Sequence, residues 1–508
     1  MNGDIFTAHG HQPALAIKNG TIVGFGDVSL YRSPRTVDLH GASVIVGLTD
    51  AHCHLYGLGM DIENVSVRQL DSEAAVVKVV ADAAKQRPAS EWLVGRGWDQ
   101  NRWQGAQFPT KASLDAAVSD RPVLLRRVDG HAIWVNTKAL EAAKITKATP
   151  DPAGGKIVRD AKGEPTGVFI DNATDLVEVA MPPASPEARE RRILAAAKIA
   201  VENGFTSVHE MGIEQATADV YRKLAEQHRL PLRVHAYLAG DPSHSDALRA
   251  NGPQPGLDRF EMKGVKFFID GALGSRGARL YADYDDDKGN RGLWVTEPSA
   301  LTKAVDDAVT GGWQTAIHAI GDAGIGAVLD AYEAANAKHP GEHRLRIEHL
   351  QVFAARDLPR IIATHSIASM QPTHATSDMP WAEKRVGAER IKGAYAWRTM
   401  LDNKVPLAFG SDFPVEEVSP LLGLYAAVSR QDAKGQPPGG WYPAQRMTLD
   451  EAVAGFTSGA AYAAFAETGY DTRADLTIFD GQLTPQTLLD RKVAVTIVGG
   501  EVVYGELH

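Results

Sequence analysis

Leu48-Thr49-Asp50-Ala51-His52-Cys53-His54 is the stretch from which the rest of the chain is read. It follows the apolar run Ser43-Val44-Ile45-Val46, so it reads as the end of a buried β-strand. Side chains on a strand alternate with a period of two, which puts His52 and His54 on one face and Cys53 on the other. Two imidazoles side by side can grip one metal ion. The same pair would also suit ordinary polar residues at a strand end. The decision rests on whether other strands end in partners.

At 508 residues the chain is too long for one ordinary domain. Its length suits two to four domains, or one large α/β barrel with additions. Hydrophobic residues make up 44% and charged residues 23%, the balance of a folded globular protein. With Lys+Arg at 53 and Asp+Glu at 63, the net charge is −10. That mild acidity argues against a nucleic-acid partner and for a small-molecule substrate. The single cysteine, Cys53, excludes an intrachain disulfide and fits a reducing compartment. No basic-led apolar leader and no long apolar segment is seen, so a cytoplasmic protein without a membrane partner is expected. A chain trimmed of its leader would read the same. A homodimer is the default assembly.

Residues 1–45 read as short strands, with Asn19-Gly20 between alternating apolar runs as a hairpin signal. Residues 470–508 have the same grammar. Neither end holds enough strands to bury a core. The two are therefore expected to pair into one β-domain, with a catalytic domain over 46–469 inserted between them. Roughly residues 56–172 form an excursion. It holds a helix-like stretch from Ser72 to Lys85, a Trp-rich loop from Gly95 to Trp103, and a β-rich part beyond Arg126. From about residue 190, strand and helix patterns alternate. The strands fall at Thr206–His209, Leu232–Tyr237, Val265–Ile269, Thr315–Ala319, Leu345–Glu348, Ile367–Met370 and Pro406–Phe409. Repeated βα units mean parallel strands with crossover helices. There is no Gly-rich phosphate fingerprint, and polar residues recur at strand C-terminal ends. Such strands are either doubly wound or closed into a barrel, and both features point to a (β/α)8 barrel, TIM-like, which the pairing of the chain ends leaves inserted in a small β-sandwich domain.

Five strand ends carry metal-type ligands: His52 with His54, Lys266 through Asp270, His318, His349, and Asp412 after Gly410. Lys266, Phe268 and Asp270 share a face, so a lysine points inward. An unpaired buried lysine is costly and its pKa shifts easily. A lone His at a strand end is more often structural, and an Asp before a turn is usually a turn former. The ordered set HxH, Lys, His, His, Asp is far less expected by chance.

These runs resemble the amidohydrolase superfamily, within it the amidohydrolase 3 or YtcJ-like group that includes N-substituted formamide deformylase. The resemblance spans nearly the whole chain. It includes Gly97-Trp98-Asp99, Asp129-Gly130-His131, Thr206 to His209, Lys266 with Asp270 to Arg276, His318 with Gly321-Asp322, Arg346 to His349, Gln371 to His374, and Gly410 to Asp412. It implies a binuclear metal site. His52, His54 and Asp412 would hold the more buried ion, and His318 and His349 the second. Lys266, carboxylated by CO2, would bridge both. A bare ammonium would repel two dications, whereas a carbamate offers each an anionic oxygen. The ions, ~3.5–4 Å apart, would share a hydroxide. Zinc fits best, with manganese or iron as alternatives. Asp412 would carry the proton from that water to the leaving amine, and His131 or His374 would aid the carbonyl. Trp98, Asp99, His131, Arg276 and His374 are the candidates for substrate contact. His209 reads as core or as a support for the ligands, and Cys53 as packing.

The implied activity is hydrolysis of a C–N bond in a small amide, such as an N-substituted formamide or N-acyl compound. Ester, lactone or carbamate hydrolysis, or ring deamination, are alternatives on the same site. A non-catalytic binding paralogue is another, and the presence of all six ligand positions opposes it. One departure is the turn Thr468 to Arg473, which lacks the Gly-Ser-Leu-x-x-Gly-Lys-like pattern of the family.

Overall fold

The computed structural model describes residues 1–33, 35–466 and 472–507. Its centre is a ring of eight parallel strands: β1 (Thr49–Cys53), β2 (Ser207–Ile213), β3 (Arg233–Ala239), β4 (Phe260–Phe268), β5 (Gln314–Ala319), β6 (Arg346–His349), β7 (Ile367–Met370) and β8 (Leu407–Phe409). They lie side by side in chain order, each laddered to the next. Helices such as Gln215–Glu226, Pro298–Thr310 and Asp322–Lys338 return the chain between strands. This is the TIM-like barrel that the βα alternation predicted. β4 starts at Phe260, five residues before the expected strand, because Phe260 and Met262 also bury apolar surface under the return helices.

The ring closes between the residues that follow β8 and those of β1. Asp412 N–H donates to the His52 carbonyl at 2.7 Å, and His54 N–H to the Phe413 carbonyl at 2.7 Å. The buried Asp50 carboxylate accepts from Ser411 through both N–H (3.0 Å) and Oγ (2.6 Å). Gly410 is forced here, since a Cβ would lie 2.3 Å from His52 N. Closure therefore brings Asp412 against His52 and His54.

One expectation needs correction. Ser43–Val46 and the HxH stretch are not one strand. Gly47, with φ +66°, turns the chain between two sheets. Ser43–Val46 pairs parallel with Asp4–Thr7 and antiparallel with Leu476–Phe479. Val493–Val498 and Glu501–Gly505 complete that side, so both ends of the chain meet in one six-stranded sheet. The hairpin Leu15–Lys18/Thr21–Phe25 packs on it through Leu15, Ile22 and Phe25. Asn19 and Gly20 both have φ above +50°, as a two-residue type I′ turn requires. The other face meets the helix Pro186–Glu202, where Thr496 Oγ1 donates to the Val201 carbonyl at 2.7 Å. Residues 468–471 of the divergent turn lie outside the described residues.

The excursion has its own six-stranded sheet, running from Gly155–Arg159 through Pro165–Asp171, Ala132–Val135, Val123–Arg127 and Leu93–Trp98 to Val65–Ser66. Apolar clusters cover its two faces. His131, after the turn at Gly130, reaches over the barrel mouth, its ring 4.9 Å from that of His318. Among the described residues no helix is long and apolar enough to cross a membrane.

Candidate metal centre

The C-terminal ends of the barrel strands gather the histidines. His52 is fully buried, and its Nδ1 donates to Glu348 Oε2 at 2.5 Å. A carboxylate only accepts, so the ring proton sits on Nδ1 and the Nε2 lone pair faces inward. His54 Nδ1 lies 2.9 Å from the Met211 carbonyl, and the same logic leaves its Nε2 free to accept. Both Nε2 atoms approach Asp412 Oδ1, at 3.5 Å for His52 and 3.1 Å for His54. That oxygen is buried and has no hydrogen-bond partner among the described residues. Two lone pairs and an anionic oxygen thus crowd one point with no proton between them. A cation satisfies all three, and a proton on the His52 ring is opposed by burial, which pushes it down to about 4. The residues fit a metal ion.

A second group shares Asp412. The ligand-capable atoms of His349, His374 and Asp412 lie within 4.8 Å of one another. His349 Nδ1 donates to Gln371 Oε1 at 2.8 Å, and Gln371 is oriented by donating to the Ser369 carbonyl at 3.3 Å. His349 follows Glu348 directly, yet both reach the site, because the chain leaves strand geometry at His349 with φ +72°. His374 Nδ1 pairs with Glu416 Oε1 at 2.9 Å and its Nε2 with Asp412 Oδ2 at 3.2 Å. Burial alone would lower His374, but Asp412 and Glu416 hold it well above its ordinary value. Burial alone would raise Asp412, but His374, donating to Oδ2, holds it well below the usual carboxylate range.

Lys266 enters the ring from β4. It is buried, and its Nζ is 3.4 Å from His52 Nε2. Burial pushes it down to about 8 against the pull of Glu348 and Asp412. His318 lies alongside, its ring 4.6 Å from that of His349, but outside both three-residue groups. Asp270, on the face of Lys266, braces loops: it accepts N–H groups of Arg279 (2.8 Å), Ile320 (3.0 Å) and Gly321 (2.8 Å).

The substrate-contact candidates divide. His131 is at the mouth, held by Asp171 Oδ1 at 2.7 Å. Asp99 pairs with Arg127 at 2.6 Å, and Arg127 also grips Asp129 beside His131. Trp98 is not at the site. It is 1% exposed in the excursion's core, edge-on to Trp134, and its Nε1 donates to the Leu125 carbonyl at 2.7 Å. Arg276 is turned to Asp286, with contacts of 3.0 and 3.2 Å. Cys53 is fully buried in the main apolar core.

Several supports carry no ligand signature and were not singled out. Glu348 is fully buried and takes Arg346 Nε at 2.7 Å. Arg346 in turn donates to Tyr237 Oη (2.7 Å), the Ala51 carbonyl (2.7 Å), Ser369 Oγ (3.0 Å) and His209 Nδ1 (2.9 Å). Arg346 and Glu348 two apart on a buried strand were the visible signal. Glu210 accepts the N–H groups of Leu55 and Tyr56 and so fixes the helix that starts after His54. Burial pushes Glu210 up to about 8.

Comparison with known proteins agrees with this arrangement. Residues 35–504 match the amidohydrolase family, and the chain belongs to that family. It is similar to the putative amidohydrolase YtcJ of Bacillus subtilis (strain 168), at 34% identity over 97% of this chain and 96% of that one. It is also similar to an N-substituted formamide deformylase of Arthrobacter pascens, at 26% identity over 84% and 80%. Among solved structures, an uncharacterized metal-dependent hydrolase from Pyrococcus horikoshii OT3 superposes with a TM-score of 0.76. It has 27% identity and covers 96% of this chain and 97% of that one. The chain is a metal-dependent hydrolase by this membership.

Proposed function

We propose that this hydrolase cleaves the C–N bond of a small amide, using two divalent ions held at the barrel mouth. The observation that carries the reading is the convergence of two imidazole lone pairs on the unpartnered Asp412 oxygen. His52, His54 and Asp412 would hold one ion. His349 and His318 would hold the other, with His374 beside them. Lys266 would join the two as a carbamate, and its depressed pKa fits, because only the neutral amine adds CO2. When bound, the ions would lower the pKa of a water to about 7 and polarise the scissile carbonyl.

The chain's own groups do the rest. Asp412 takes a proton through Oδ1 or Oδ2 and returns it to the leaving nitrogen. His374, fixed by Glu416 at Nδ1, positions the Asp412 carboxylate through Nε2. His131, fixed by Asp171, faces it from the excursion. Zinc suits the mixed nitrogen and oxygen donor set.

The test is elemental analysis and an amide panel, including N-substituted formamides, on wild type, Lys266→Ala and Asp412→Asn grown with zinc or manganese and bicarbonate. About two metals per chain in wild type are expected, fewer in Lys266→Ala, and no amide turnover in Asp412→Asn. One metal per chain in wild type and Lys266→Ala alike would remove the binuclear reading and favour ring deamination.

A further inference from the structure

A polar cavity of about 30 Å³ lies at the opposite end of the barrel, where β1, β2 and β3 begin, against the sheet made by the chain ends. Such a volume holds one or two water-sized bodies. Ser207, His209, Arg233, His235, Arg473 and Asp475 are in its wall. Two of these carry buried polar atoms with no hydrogen-bond partner among the described residues, Ser207 Oγ and His209 Nε2. Ser207 is 6% exposed and His209 0%.

The state of His209 follows from its neighbour. Arg346 lies 2.9 Å from His209 Nδ1, and a guanidinium has no lone pair to offer. Nδ1 must accept, so the ring proton is on Nε2, which is a donor without an acceptor. The carboxylate in the wall is already spent. Asp475 accepts from Arg233 Nε (2.7 Å), Arg233 Nη2 (3.2 Å) and Gly499 N–H (2.7 Å). His235 Nδ1 donates to the Glu261 carboxylate at 2.5 Å. Arg233 is spent as well, since it also donates to Asp258 Oδ1 at 2.9 Å, so the wall offers an imidazole N–H and a hydroxyl with Arg473 beside them.

We infer that this floor cavity binds a small monovalent anion of halide size, held by His209 Nε2–H and Ser207 Oγ–H. The site joins the barrel to the sheet of the chain ends, through Ser207 and His209 on one side and Arg473 and Asp475 on the other. It lies at the end of the barrel away from the chemistry, so its occupation acts on stability and domain docking.

Two measurements on the full-length metal-loaded protein test it. The first compares Tm in sodium bromide with Tm in sodium gluconate at equal ionic strength, for wild type and Ser207→Val. Valine suits a strand and fills the space without adding charge. Wild type is expected to melt ~2 °C or more higher in bromide, a difference that Ser207→Val loses. The gluconate melt shows that the variant is folded. The second is anomalous diffraction from bromide-soaked crystals, with a peak between Ser207 and His209. Equal melting of wild type in the two salts, a bromide effect unchanged in Ser207→Val, or non-anomalous water density in the cavity would each overturn the assignment.

Discussion

Glu348→Gln removes one oxygen's charge from the centre of the barrel and should weaken both fold and metal binding. In the native chain Glu348 holds His52 Nδ1 at 2.5 Å and Arg346 Nε at 2.7 Å, and both Glu348 and Arg346 are fully buried. Neutralising Glu348 leaves the Arg346 cation without its counter-charge. Breaking a buried pair from one side costs about 3–5 kcal/mol. Unfolding entropy is about 2.1 cal/mol/K per residue, so a chain of 508 residues melting as one unit loses ~1 °C per kcal/mol. The metal-free variant should therefore melt ~3–5 °C lower. The amide can also turn its NH2 toward His52, which unfixes the tautomer that offers Nε2. Loss of such a support typically lowers metal affinity ~10–100-fold. The assay pairs a melt of stripped protein with a zinc competition titration against a chromophoric chelator. A lower melt with unchanged affinity would show that Glu348 stabilises the barrel without aiming His52. No change in either would refute the hydrogen-bonded column from Arg346 to His52.

His374→Gln keeps a polar side chain but loses the contact to Glu416. It should cut kcat ~10²-fold or more with little change in KM, and a normal kcat would remove His374 from the reaction. Trp98→Phe loses the bond to the Leu125 carbonyl and should destabilise by about 1–3 kcal/mol in urea titration with KM unchanged; a large KM change with a normal melt would return Trp98 to the substrate site. For Glu261, burial alone would raise the pKa, but His235 and Lys263 bring it from 4.5 to about 2. A depressed carboxyl contributes stability above its unfolded value and loses it as pH falls from about 4.5 toward 2. Glu261→Gln should therefore lose stability mainly at neutral pH, and the gap to wild type should narrow on acidification. A gap of constant size from pH 6 to pH 3 would contradict the assignment.

The barrel was legible because its strands carry apolar cores and its ligands sit at their ends. His318 stands where a period of two and a strand terminus place it, whereas His349 and Asp412, at φ +72° and +60°, reach the site by leaving strand geometry at the same ends. The boundary between Val46 and Thr49 was not legible, because one glycine at positive φ moves the chain between sheets without breaking the apolar run. The role of Trp98 was also hidden. Its neighbours Arg96 and Asp99 look like a pocket rim, and only the tertiary packing of Trp103 and Trp134 around the ring makes it core. Glu348 and Glu416 were missed for a related reason. A carboxylate that orients a ligand from behind has no spacing rule of its own. Its partners, His52 and His374, are 296 and 42 residues away in sequence.

The sheet shared by the two chain ends sets a clock on synthesis. Ser43–Val46 gains Asp4–Thr7 on one edge at once, but the strand for its other edge, Leu476–Phe479, is translated roughly 430 residues later. At ~5–20 residues per second the ribosome leaves that apolar edge bare for about 20–90 s. Ring closure waits too, since Asp412 must be made before His52 and His54 acquire their neighbour. The nascent chain thus carries an open strand edge and an unfinished barrel for most of its translation, and its yield in the cell should depend on whatever shields that edge until the last strands emerge.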